Sequence, residues 1–149
     1  MDRKTKKPRS EFLVSERKEP RVESDPLSYR RMKPTWRIAK MDVNGSWTWT
    51  GINADMLWHH IHDRLKSFES MTWGAIEQER QGYPMEVRIL CKEAQDRLRQ
   101  MDPQTTIDTL YEFHVTQKAR IWGMREGTIL HLLWWDPEHS VYPVAKKNT

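Results

Sequence analysis

The chain has 149 residues, the size of a single domain; 31% are charged and only 37% hydrophobic, so part of it is expected to lie outside the core. A lone cysteine, Cys91, excludes an internal disulfide and fits a reducing compartment. No apolar run approaches the roughly 18 residues of a membrane span, so no membrane partner is expected and the cytoplasm is the expected location.

Charge divides the chain. Residues 1–40 hold thirteen Lys or Arg against six Asp or Glu, whereas the remainder holds twelve against fifteen. All eight tryptophans lie between Trp36 and Trp135, which locates the core in the later part of the chain. Residues 1–33 therefore read as a flexible basic arm, broken by Pro8, Pro20 and Pro26, and residues 34–149 as one domain. Such an arm meets phosphates or an acidic partner, or is simply a solvated tail.

In chain order, Trp36 to Met41 reads as a strand. Asn44-Gly45 is a turn signal, and Trp47 and Trp49 alternate with Ser46 and Thr48, which predicts a hairpin. Asn53 caps a helix whose stripe is Leu57, Ile61, Leu65 and Phe68. Thr72 caps a short second helix through Trp73, Ala75 and Ile76, ended by Gly82-Tyr83-Pro84. Val87, Leu90, Cys91, Ala94, Leu98 and Met101 space a third helix, stopped by Asp102-Pro103. Cys91 then reads as a small core residue.

Strands follow. Leu110 to Val115 alternates with Tyr111, Phe113 and Val115 on one side, and Ala119 to Met124 is its partner. Glu126-Gly127 makes a hairpin turn, and the apolar run Ile129 to Trp135 predicts a central strand covered on both faces. The expected class is α+β: two or three helices packed on an antiparallel sheet.

Two constellations carry candidate chemistry. Asp55, His59, His60, His62 and Asp63 place metal donors on one helix. They lack a His-Glu-x-x-His pattern and a Cys ligand, and read as an exposed face beside the stripe. The second set lies at the C-terminus: Arg120 and Arg125 on one strand, then Asp136, His139 and Tyr142, then Lys146 and Lys147. Arg, His, Tyr and Lys together are what metal-free phosphoryl transfer on RNA needs: a base for the 2′-hydroxyl, cations for the phosphorane, and an acid for the leaving 5′-oxygen. The bland alternative is a structural turn at Asp136-Pro137-Glu138-His139 with Tyr142 packed beneath it.

The helices followed by a meander ending in His and Tyr resemble the RelE/ParE toxin fold. The resemblance rests on Leu110-Tyr111-Glu112-Phe113, then Lys118-Ala119-Arg120-Ile121, then the Arg125–Thr128 turn. Residues 36–149 also resemble a family of uncharacterised bacterial proteins through Phe68-Glu69-Ser70-Met71-Thr72-Trp73, Arg120-Ile121-Trp122-Gly123 and Leu133-Trp134-Trp135-Asp136-Pro137-Glu138-His139. The RelE likeness implies a metal- and cofactor-independent mRNA endonuclease. Its catalytic positions are Arg120, His139 and Tyr142; separately, the basic residues Arg125, Lys146 and Lys147 of the C-terminal set and Arg30 and Arg31 of the arm are expected on nucleic acid. RNA or the ribosome, and an antitoxin protein, are the implied partners. The net-acidic body and the tail beyond Tyr142 depart from that pattern. ParE-type relatives act on gyrase without this chemistry, so the competing expectation is a non-catalytic nucleic-acid- or protein-binding module of a toxin-antitoxin or defence system.

Overall fold

The computed structural model describes residues 27–143. Five strands form one sheet: β1 (Thr35–Arg37), β2 (Gly82–Glu86), β3 (Thr109–His114), β4 (Arg120–Glu126) and β5 (Ile129–Asp136), in the order β1-β5-β4-β3-β2. The α+β class agrees with expectation. The sheet is mixed rather than wholly antiparallel, because β1 pairs with β5 in parallel, Thr35 opposite Ile129 and Arg37 opposite His131. β5 is an interior strand between β1 and β4, as its run, apolar apart from His131, predicts.

Helix α1 joins Ala54–Met56, a π-helical turn Leu57–Ile61 and His62–Glu69. Asn53 caps it by accepting from the Met56 N–H at 2.7 Å. Helix α2 (Trp73–Gln78) is capped by Thr72, whose hydroxyl accepts from the Ala75 N–H at 3.1 Å. Helix α3 is Lys92–Met101.

Both faces of the sheet are covered. Helices α1 and α2 bury Phe68, Trp73 and Ile76 against Phe113, Ile121, Leu130 and Trp135. On the other face, α3 buries Ala94 and Leu98 against Leu110, Trp122, Leu133 and Trp134. Leu133 and Trp134 are consecutive yet share that second face, because the β4–β5 register shifts between Trp122 and Gly123. This is a β-bulge, and it turns one extra large side chain into the core. Gly123 is required there: a Cβ would stand 2.6 Å from the His131 carbonyl oxygen.

Three expectations change. The hairpin of Trp36–Met41 with Trp47–Trp49 does not form; residues 38–53 are a loop across the end of the sheet. The buried Asp42 carboxylate organises that loop, accepting from the Asn44 and Gly45 N–H groups, from Arg97 and from the Trp134 indole. Trp47 and Trp49 then reach opposite sides of β5, against Trp134 and Trp135. The third helix starts at Lys92, not Val87: Val87–Ile89 is a 3-10 turn and the preceding residues form edge strand β2. Cys91 stands at the N-cap, its N–H bonded to the Val141 carbonyl.

Finally, residues 27–33, assigned to the arm by composition, are docked on the body. Ser28–Arg31 forms a 3-10 turn, Tyr29 packs edge-on to Trp73, and the Tyr29 hydroxyl donates to Glu77 at 2.8 Å. The rest of the arm lies outside the described residues.

Candidate functional site

Period-2 alternation places Leu110, Glu112 and His114 on the α3 face of β3, opposite Tyr111 and Phe113. Glu112 is opposite Tyr83 on β2 and Trp122 on β4, and His114 is opposite Arg120. At this end of the sheet α3 gives way to the segment after β5, which brings His139 over the strands. Five groups able to carry charge or protons meet here: Tyr83, Glu112, His114, Arg120 and His139.

Glu112 is the hub. It is 2% exposed, and its Oε2 shares a 3.2 Å hydrogen bond with His139 Nε2. Arg120, 8% exposed, places Nε 3.4 Å from the same oxygen without hydrogen-bond geometry. Arg120 Nη1 donates to the carbonyls of Thr116, Gln117 and Ala119, so the guanidinium also fastens the β3–β4 turn. Among the described residues Arg120 Nε is the one buried side-chain polar atom with no hydrogen-bond partner. The Tyr83 hydroxyl shares a 3.0 Å hydrogen bond with His114 Nε2. The Arg64 Nε–H donates to the His114 carbonyl at 3.1 Å and holds that strand end against α1.

Burial governs the protonation of these groups. Desolvation pushes the Glu112 carboxyl up, against the pull of Arg120 and His139. Desolvation, then the Arg120 charge, presses His114 down to about 4, so at neutral pH its ring is uncharged. The Tyr83 phenol is raised by burial and by the Glu112 charge. Backbone strain marks the same place: His139 has φ 59°, a left-handed conformation that non-glycine residues seldom adopt.

The expected catalytic set is only partly assembled. Arg120 and His139 converge through Glu112. Tyr142 does not join them; it is half-buried against the cluster of Trp47, Leu90 and Val141, a packing role. Asp136 is fully buried and structural. It accepts from the Trp122 indole at 3.2 Å and from the Ser140 and Val141 N–H groups at 2.8 and 3.0 Å, tying the turn that carries His139.

The expected nucleic-acid contacts separate from this site. Arg125 lies at the far end of β4 on the opposite face, its guanidinium 3.5 Å from the Tyr29 ring centroid and donating to the Gly127 carbonyl. Arg30 pairs with Glu77. Arg31 is exposed; Lys146 and Lys147 lie outside the described residues. On α1, His60 approaches Asp55 and His62 approaches Asp63, but no three metal donors gather among the described residues.

Sequence reasoning missed Glu112, His114 and Tyr83. Alternation puts Glu112 on the face opposite Tyr111 and Phe113, and no local signal in the sequence says that this second face is covered. Tyr83 was hidden because Pro84 argued against a strand, although Pro is tolerated on an edge.

Comparison of the chain with protein-family models, curated proteins and solved structures gives no match. Among the described residues no helix is long and apolar enough to cross a membrane.

Proposed function

We propose that the chain is a metal-independent RNA endonuclease whose working groups are His139, Glu112 and Arg120, with Tyr83 and His114 beside them. The observation that supports this reading most is the meeting of an arginine and a histidine, from distant parts of the chain, on one buried carboxylate.

The chemistry follows from the geometry. His139 is the member of the trio that reaches solvent, with a side chain 21% exposed against 2% for Glu112. With Nε2–H held by Glu112, the neutral ring leaves Nδ1 as the proton acceptor. Nδ1 takes the 2′-hydroxyl proton as that oxygen attacks the adjacent phosphorus; the P–O5′ bond breaks, giving a 2′,3′-cyclic phosphate and a 5′-hydroxyl. The Glu112 carboxylate stabilises the imidazolium that forms. Arg120 supplies positive charge near the phosphorane, the part a metal plays elsewhere. The Tyr83–His114 pair, with Tyr83 opposite Glu112 on the neighbouring strand, is the proposed source of the proton returned to the leaving oxygen. Tyr142 has no step in this scheme. RNA presented by the ribosome is the proposed substrate, and an antitoxin protein a proposed partner.

One observation favours a second reading. Arg120 Nη1 is committed to three backbone carbonyls, as in an arginine that only holds a turn. On that reading the trio is structural and the chain is a non-catalytic nucleic-acid- or protein-binding module. Controlled expression in bacteria separates the two. The nuclease reading expects growth arrest with mRNA cleavage, abolished by His139→Ala and unaffected by Tyr142→Phe. Harmless expression of a folded wild type, with intact RNA, supports the binding module instead.

A further inference from the structure

We infer that the β1 edge of the sheet is a docking surface for an acidic, extended segment of a partner protein. The inference rests on the sheet edge and is independent of the Glu112 site.

β1 is the outermost strand beyond β5, so its outer side pairs with no strand of this sheet. From residue 27 to residue 41 the chain carries five cations, Arg30, Arg31, Lys33, Arg37 and Lys40, and no carboxylate. Arg30 is engaged by Glu77; the other four are exposed, and among the described residues no carboxylate pairs with them. The strip is apolar as well as basic. Ile38 is 68% exposed and Met32 53%. The loop leaving β1 forms one wall of a groove of about 450 Å3 lined by Met41, Met101, Met124, Ile107 and Leu133, with Lys40 and one carboxylate, Asp102, also on its wall. Methionine-lined surfaces adapt to varied apolar side chains.

These properties select the partner. The free side of a sheet edge offers backbone hydrogen bonds to an extended chain, and alternate side chains of that chain then point to opposite faces. Cations along the edge repel another basic strand and admit an acidic one. The exposed apolar groups are aliphatic rather than aromatic. The one aromatic ring of the strand, Trp36, is taken up by Phe113 and by a 2.7 Å donation to Glu69. Single-stranded nucleic acid binds by stacking on aromatic faces, which this strip does not present. The opposite edge, β2, is interrupted by Pro84 and carries Glu86. Glu86 is itself paired with Arg88, so the β2 edge lacks both the unpaired cations of β1 and an unbroken row of backbone donors.

The test titrates the full chain, labelled at its methionine methyl groups and backbone amides, with three probes. They are a synthetic peptide of alternating Glu and Leu, its Lys-Leu counterpart, and oligouridine RNA. The expected result is that the Glu-Leu peptide alone shifts the methyl signals of Met41, Met101 and Met124 and the amides of residues 36–40. The double variant Arg37→Glu/Lys40→Glu should weaken that binding about tenfold. Both side chains are exposed, so the variant should fold, which its circular dichroism checks. Equal binding of the two peptides, preferential shift of these signals by RNA, unchanged affinity in the folded variant, or no binding of the Glu-Leu peptide would each overturn the inference.

Discussion

Glu112→Gln should be far more damaging than its small change in shape implies. The substitution keeps volume and an acceptor for His139 but leaves Arg120 buried beside no counter-charge. Breaking a buried ion pair by neutralising one partner costs about 3–5 kcal/mol. Arg120 keeps its Nη1 bonds to three carbonyls, so the lower end applies, about 3 kcal/mol. For a domain of this size that corresponds to a fall in melting temperature of roughly 10–15 °C. Urea unfolding of wild type and variant reads the effect directly, as a shifted midpoint with an unchanged slope. The double variant Glu112→Gln/Arg120→Met removes both charges together with the Arg120 bonds to the turn, and should cost clearly less than the sum of the two single substitutions. A Glu112→Gln cost below about 0.5 kcal/mol, or simple additivity in the cycle, would refute the claim that Glu112 compensates a buried arginine.

Other consequences are equally direct. Leu98, 5% exposed between α3 and the sheet, should cost about 2–5 kcal/mol on substitution by Ala, measured by chemical denaturation. Gly123→Ala should destabilise by about 1–3 kcal/mol, because its Cβ meets the His131 carbonyl oxygen and the bulge must shift; a thermally neutral variant would contradict the register. The His114 value near 4 lies below the ordinary histidine value of 6.5, so the unfolded chain binds the extra proton first as pH falls. Stability should therefore decline between pH 6.5 and pH 4, by an amount on the order of 1 kcal/mol after allowance for partial solvent access. His114→Gln should flatten that part of the pH profile, while an unchanged slope would show that His114 is not held neutral.

Much of this architecture was legible because local rules and tertiary packing agree. The caps at Asn53 and Thr72, the stripe through Leu57 and Phe68, and the alternation of Tyr111 with Phe113 all survive in the fold. The failures lie where a distant contact decides. Trp47 and Trp49 alternate like a strand, but Asp42, fixed by Arg97 and Trp134, closes their segment into a loop. Val87 continues the spacing of α3, yet backbone pairing of β2 with β3 stops that helix from starting early. At the site, Arg120 and His139 could be named from residue type alone. The carboxylate that joins them could not, because its burial depends on the second face of the sheet being covered. Residue type and the RelE likeness group Tyr142 with them, but Asp136 ties the turn so that the Tyr142 ring packs, half-buried, against the core instead.

The most direct test of the proposed function is cleavage by the purified full chain of a labelled RNA, with and without ribosomes, in the presence of a chelator. The account predicts products ending in 2′,3′-cyclic phosphate and 5′-hydroxyl. His139→Ala should lower the rate by about a hundredfold or more while retaining the wild-type fold, and Tyr142→Phe should leave it unchanged. Products with 5′-phosphate ends, cleavage that survives His139→Ala, or no cleavage by the folded wild type under either condition would contradict it.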